Sequence, residues 1–160
     1  MNKLFVFLVS WFMGLEAGGP WLPQFRFFTR YDADVIVRDA KNDAHDAAIG
    51  ASALFNIRSG VPAKSAGNGT LLAQLTGNAT AFFGASSSGV LTSNAITADS
   101  SADAGGTAAH YEITTSGAAF VESGLCDTGG TDGVTIDNET IVAGQTVQMS
   151  GNWTKTAPNG

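Results

Sequence analysis

The stretch SAGNGTLLAQLTGNATAFFGASSSGVLTSNAITA, residues 65–98, contains no charged residue. A run of that length without charge would suit a membrane span. Yet Gly, Ser, Thr and Asn fill it at a density that a bilayer-spanning helix does not carry. Read by its period instead, it divides into a loop, a strand at TLLAQLT (70–76), a wide turn, and a second strand at GVLTSNAIT (89–97). In the first strand Leu71, Ala73 and Leu75 alternate inward and Gln74 points the other way.

Working outward, the same pattern continues on both sides. ALFNIRS (53–59) offers Phe55 and Ile57 to one face, and AAHYEIT (108–114) offers Tyr111 and Ile113. AAFVES (118–123), GVTID (133–137) and QTVQMSGNWT (145–154) follow. In the last, Val147, Met149 and Trp153 share a face, with Gly151 as a bulge or close approach. About seven short strands with many turns predict an all-β protein, an antiparallel β-sandwich or jelly roll. An apolar N-terminal arm and a short linker helix complete it. The expected division is an arm over 1–30, a linker over 31–52 and the sandwich over 53–157. Within the linker, a helix is predicted over Ala33–Ile49, capped by Asp32, carrying an Asp34–Arg38 pair and ended by Gly50, although Val35, Ile36 and Val37 would equally make a strand.

Charge narrows the function. Between Ser65 and Thr154 there is no Lys or Arg, while Asp99, Asp103, Glu112, Glu122, Asp127, Asp132, Asp137 and Glu139 are all acidic. Nucleic acid and phosphate-ester substrates call for cations that this body lacks. The cations before residue 65 are interspersed with acids and form no basic patch. Cys126 is the only cysteine, so no internal disulfide forms, and it reads as a small buried or half-buried thiol. Neutral outward strand faces invite pairing with other chains, because charge is what normally blocks edge association.

The arm begins MNKLFVFLVSWFMGLEAGG, the outline of a signal peptide: Lys3, an apolar stretch from Leu4 to Leu15, and Ala17 at a cleavage position. It holds Phe5, Phe7, Trp11, Phe12, Trp21, Phe25, Phe27 and Phe28, six of the ten Phe and two of the three Trp. A small domain cannot absorb that much aromatic surface, and left in water it is an association patch. Burial of these eight side chains against other subunits is the expected assembly contact.

Candidate chemistry is sparse. His110 and Glu112 stand two apart on one strand and could share a metal, but no third ligand has the spacing, and the pair reads as a solvated strand face. His45, between Asp43 and Asp46, reads as the polar side of a helix or linker. The Asp99/Asp103 and Asp127/Asp132 turns are oxygen-rich, yet neither follows a calcium-loop pattern, and both read as Asx turns. There is no G-x-S-x-G. No catalytic, cofactor or metal residues are assigned, and the expectation is a protein that is not an enzyme.

Four segments together resemble a group of small structural proteins of tailed bacteriophages. They are ALFNIRSGVPAK, GTLLAQL, FGASSSGVLTSNAITADSSADAGGTAAHYEI and ETIVAGQTVQMSGNWTKT. The shared marks are Gly60, Pro62 and Ala63, the Ala102–Ala108 turn, and Ala143–Val147, over about residues 53–157. HYEI departs from the group, whose strand there carries a large aromatic and an arginine. The resemblance implies a non-enzymatic virion component, a head decoration, cement or tail-accessory protein. Its expected partners are capsid or tail proteins and copies of itself, without nucleic acid or membrane. The competing expectation is a secreted or surface-anchored binding module, adhesin-like, with residues 1–17 as its signal peptide.

Overall fold

The computed structural model describes residues 30–129 and 133–157, with side chains from residue 35 onward. The eight arm aromatics from Phe5 to Phe28, and Asp132, lie outside them.

Among the described residues one helix, α1 (Arg30–Ile49), precedes nine short strands. They are β1 (Leu54–Arg58), β2 (Leu71–Thr76), β3 (Val90–Thr92), β4 (Gly106–Thr107), β5 (His110–Thr114), β6 (Phe120–Asp127), β7 (Val134–Thr135), β8 (Thr140–Ile141) and β9 (Thr154–Thr156). The described residues are thus mostly β-strand apart from α1. Five strands form one sheet in the order β2-β1-β5-β6-β7, and β3-β9 and β4-β8 form two small sheets. All pairings are antiparallel except β6–β7, where Cys126 and Val134 lie side by side in parallel.

The alternation holds in β1, where Phe55 and Ile57 are fully buried. It slips in β2. Ile57 pairs with Ala73 but Arg58 pairs with Leu71, so Leu72 is the extra residue of a bulge. Leu72 is therefore buried with Ala73 and Leu75, and Leu71 is only half-buried. Gln74 faces out as expected. The long strand expected over 145–154 is replaced by single bridges, Asp99–Val147 and Ile136–Met149. A turn through Gly151 (φ 149°) then leads to β9. Its face survives the loss of pairing: Val147 and Trp153 are in the core and Met149 packs against it.

One cluster of buried side chains draws on all three sheets. Aromatic rings make its centre. Phe55 stacks on Tyr111 at 5.1 Å between centroids, and Trp153 meets Tyr111 and Phe83 at 5.3 Å each. Such rings prefer offset and edge contacts because their faces are electron-rich and their edges are not. Gly124, opposite Tyr111 in the ladder, leaves the room this ring occupies; a Cβ there would lie 2.7 Å from it.

Helix α1 starts at Arg30, before the expected Ala33, so Asp32 lies inside it rather than capping it. It does end at Gly50, whose φ of 74° suits glycine and whose N–H reaches the Asp46 carbonyl at 2.9 Å.

Candidate functional site

Positions 38, 39, 42, 46 and 49 recur at three- and four-residue spacing and so share one face of α1. That face is polar, and it is the docked one. Asp39 accepts hydrogen bonds from Ser86 Oγ and the Gly89 N–H, both at 2.7 Å. The same Ser86 Oγ accepts from Asn42 Nδ2 at 3.0 Å, and Asp46 accepts the Phe83 N–H at 2.9 Å. Arg38 Nε donates to the Ala157 carbonyl at 3.0 Å. Among the described side chains of α1, Ile49 is the one large apolar residue in the core. Ser86 and Gly89 hold the Asp39 carboxyl below its ordinary value, as expected for a carboxylate that accepts two hydrogen bonds. The usual amphipathic arrangement is inverted: Ile36 is 68% exposed and Val37 is 50% exposed.

His45 belongs to this joint and not to a solvated face. Its Nε2 lies 3.3 Å from Glu122 Oε2 and 3.0 Å from Lys155 Nζ, and Lys155 pairs closely with the same carboxylate. The three residues come from α1, β6 and β9, so one ion cluster ties the helix to the body at both ends of the chain. The imidazole nitrogen either donates to Glu122 or accepts from Lys155. Burial pushes the Glu122 carboxyl up, but the His45 and Lys155 hydrogen bonds and charges outweigh it and leave it below 4.5. Burial and the neighbouring Glu122 push the Tyr111 phenol well above its ordinary value.

A second polar cluster lies on the outer face of the β1–β5 pair. Here the expected solvated face is corrected: His110 is 1% exposed and Glu112 2%. The connection from Ser59 to Thr70 lies over them as a strap. Arg58 Nε stands 2.6 Å from Glu112 Oε2, and the Gly67 N–H donates to both Glu112 oxygens at 3.1 Å. Ser123 Oγ donates to the strap's Ala63 carbonyl at 2.7 Å. Gly69 (φ 72°) has no room for a Cβ, which would collide with the Ser59 carbonyl. Two carboxylate oxygens bound by a guanidinium and a backbone N–H make a structural clamp, and the charges are consumed within it.

Of the other singled-out residues, Asp103 is exposed, while Asp99 and Cys126 are built into the fold. Asp99 accepts the N–H groups of Gln74 and Ser101 at 2.9 Å each, an Asx turn that also covers β2. Cys126 is buried, and burial pushes its thiol up to about 12. A groove of about 270 Å³ lined by Thr135, Met149, Ser150, Asn152 and Trp153 carries no titratable side chain. Among the described residues no three His, Cys, Asp or Glu side chains gather as a metal site, and no helix is long and apolar enough to cross a membrane.

Sequence reasoning missed Arg58 and Lys155 as the partners of Glu112 and Glu122. A signal existed: they stand close to either end of a long stretch without cations, where buried carboxylates have few other partners. Set against family models, curated proteins and solved structures, the chain matches none.

Proposed function

We propose that this chain is a non-enzymatic structural protein of a tailed-phage virion. It is a multicopy decoration, cement or accessory protein that attaches its β body to a capsid or tail lattice. The observation that carries this reading is the inverted helix. The residues that follow the aromatic arm present Ile36 and Val37 to solvent, while the polar face of the same helix is spent on the body. Exposed apolar side chains that follow, within ten residues, an arm rich in Phe and Trp favour association with another chain.

Two further features support the reading. Both histidines, His45 and His110, and the carboxylates beside them, Glu122 and Glu112, are engaged in or buried beside joints between elements. The resemblance over residues 53–157 supplies the virion context. In this reading the three sheets, which share one core, close as a β-sandwich of the jelly-roll kind, and repeated copies present their neutral strand faces to one another.

The test uses the full chain with Ile36→Glu and Val37→Glu together, supplied to assembling particles beside the unaltered chain. Expected are an unchanged melting temperature and a loss of occupancy in purified particles. Normal occupancy of the double variant would overturn the assembly role of this surface.

A further inference from the structure

We propose that the Ser59–Thr70 strap is an acid-released cover: proton uptake by the His110 ring loosens the strap from Glu112 and uncovers the polar face of the β1–β5 pair.

The strap is held by polar contacts and contributes no side chain to the core. Gly67 is bound to Glu112, the Gly69 carbonyl accepts from Arg58 Nη1 at 3.2 Å, and Ser59 and Thr70 exchange hydrogen bonds at 3.1 Å. Asn68 Nδ2 bonds the Val61 carbonyl, closing the strap on itself, while Val61 itself is 70% exposed. A segment fastened this way opens locally without disturbing packed side chains.

His110 lies under this cover. It is 1% exposed, and its Nδ1 is buried with no hydrogen-bond partner. Its ladder partner on β1 is Arg58, and Glu112 is its neighbour on β5. From β6 the facing residues are Ser123 and Leu125, neither charged, and the strap's own cation, Lys64, is exposed. An imidazolium here would be a buried cation beside a guanidinium, with a carboxylate already shared between Arg58 and Gly67. Desolvation and the Arg58 charge hold the His110 pKa below 6.5, against Glu112 and the Asn68 and Gly60 carbonyls. With the strap open the ring is hydrated and its pKa returns toward 6.5. The open state then binds more protons, so opening becomes easier as pH falls, by up to about tenfold per pH unit between the two pKa values.

Amide hydrogen exchange of the full chain, read by NMR and corrected for intrinsic rates, tests this between pH 7.5 and 5.5. Protection of the Gly67 amide is expected to fall at least severalfold, with Ile113 in β5 unchanged. His110→Gln is expected to abolish the dependence, and His45→Gln to preserve it. In the unaltered chain the His110 ring is expected to titrate below 6.5, with the Gly67 amide shift following the same midpoint. The proposal is overturned if Gly67 protection does not change with pH, or if it falls equally in His110→Gln. Should that variant fail to fold, a His110 midpoint at or above 6.5, or a Gly67 shift that ignores it, overturns the proposal in the unaltered chain.

Discussion

Asp39 and Gly89 lie fifty residues apart in sequence, and the carboxylate of the first accepts the backbone N–H of the second at 2.7 Å. Through this contact and its neighbours, a helix that reads as a linker becomes part of the body. Its hold is polar, so it responds to single-atom changes more than a packed apolar helix would.

Asn42 tests that hold. It is 4% exposed and donates to Ser86 Oγ. Asn42→Ala is expected to cost about 1–2 kcal/mol, the loss of one hydrogen bond plus a small void. Denaturant titration measures it; a change under a few tenths would mean that α1 is not fastened here.

Glu112→Gln removes the charge that balances Arg58 under the strap. Leaving a buried guanidinium without its carboxylate is expected to cost about 3 kcal/mol or more. Replacing Arg58 by Met and Glu112 by Leu together is expected to cost less than Glu112→Gln alone, because the unpaired charge goes with its partner. Chemical unfolding of both variants decides, and equal losses would count against the pair.

Acid stability reports on Glu122. Its native pKa lies below the ordinary 4.5, so between the two values the unfolded chain binds more protons than the native one. The stability this group contributes is complete above 4.5 and is lost as pH falls through the lowered value. Melting temperature is therefore expected to drop more steeply below pH 4.5 in the unaltered chain than in Glu122→Gln. Parallel curves for the two proteins would remove Glu122 as a source.

Cys126 is expected to be inert toward a disulfide reagent at pH 8 in the native protein and to react fully once unfolded. Burial first, then Glu139 and Asp127, disfavour its thiolate. Rapid native labelling would contradict the placement of β6 against the core.

The neutral faces of the body offer a test of assembly, and Thr92, exposed in β3, is the clean site for it. Thr92→Lys is expected to change fold stability by no more than about 0.5 kcal/mol. At a packed subunit contact the same lysine would lose particle occupancy. Gln74 and Asn94 serve less well. Gln74 Nε2 donates to buried Asn56 at 2.8 Å, and Asn94 Nδ2 bonds the Ala81 and Phe83 carbonyls. Loss of particles carrying those variants would mix folding with contact.

The legible part of the fold was whatever depends on local alternation. Phe55, Ile57, Tyr111 and Ile113 are inward because a strand with one apolar face can settle only one way. The Leu72 bulge was not legible, since one inserted residue changes register without changing composition. The helix was recognised but its orientation was not: propensity locates a helix, while the face that docks depends on what the body offers, here the free N–H groups of Phe83 and Gly89. His110 and Glu112 looked solvated because alternation predicts two faces, one wet. A twelve-residue connection folded over the second face makes it an interior, and no local pattern in the chain announces that cover.

The joint that places α1 uses the far end of the chain. Arg38 needs the Ala157 carbonyl and His45 shares its carboxylate with Lys155. A ribosome delivers the helix first and those partners more than a hundred residues later. During synthesis the helix meets its partners at residues 83–89 well before those last ones exist, so its seat is only partly built until β9 has paired with β3. Closure of β9 is thus the step that completes the seat, and a chain stalled before Trp153 would hold the helix by Phe83, Ser86 and Gly89 alone.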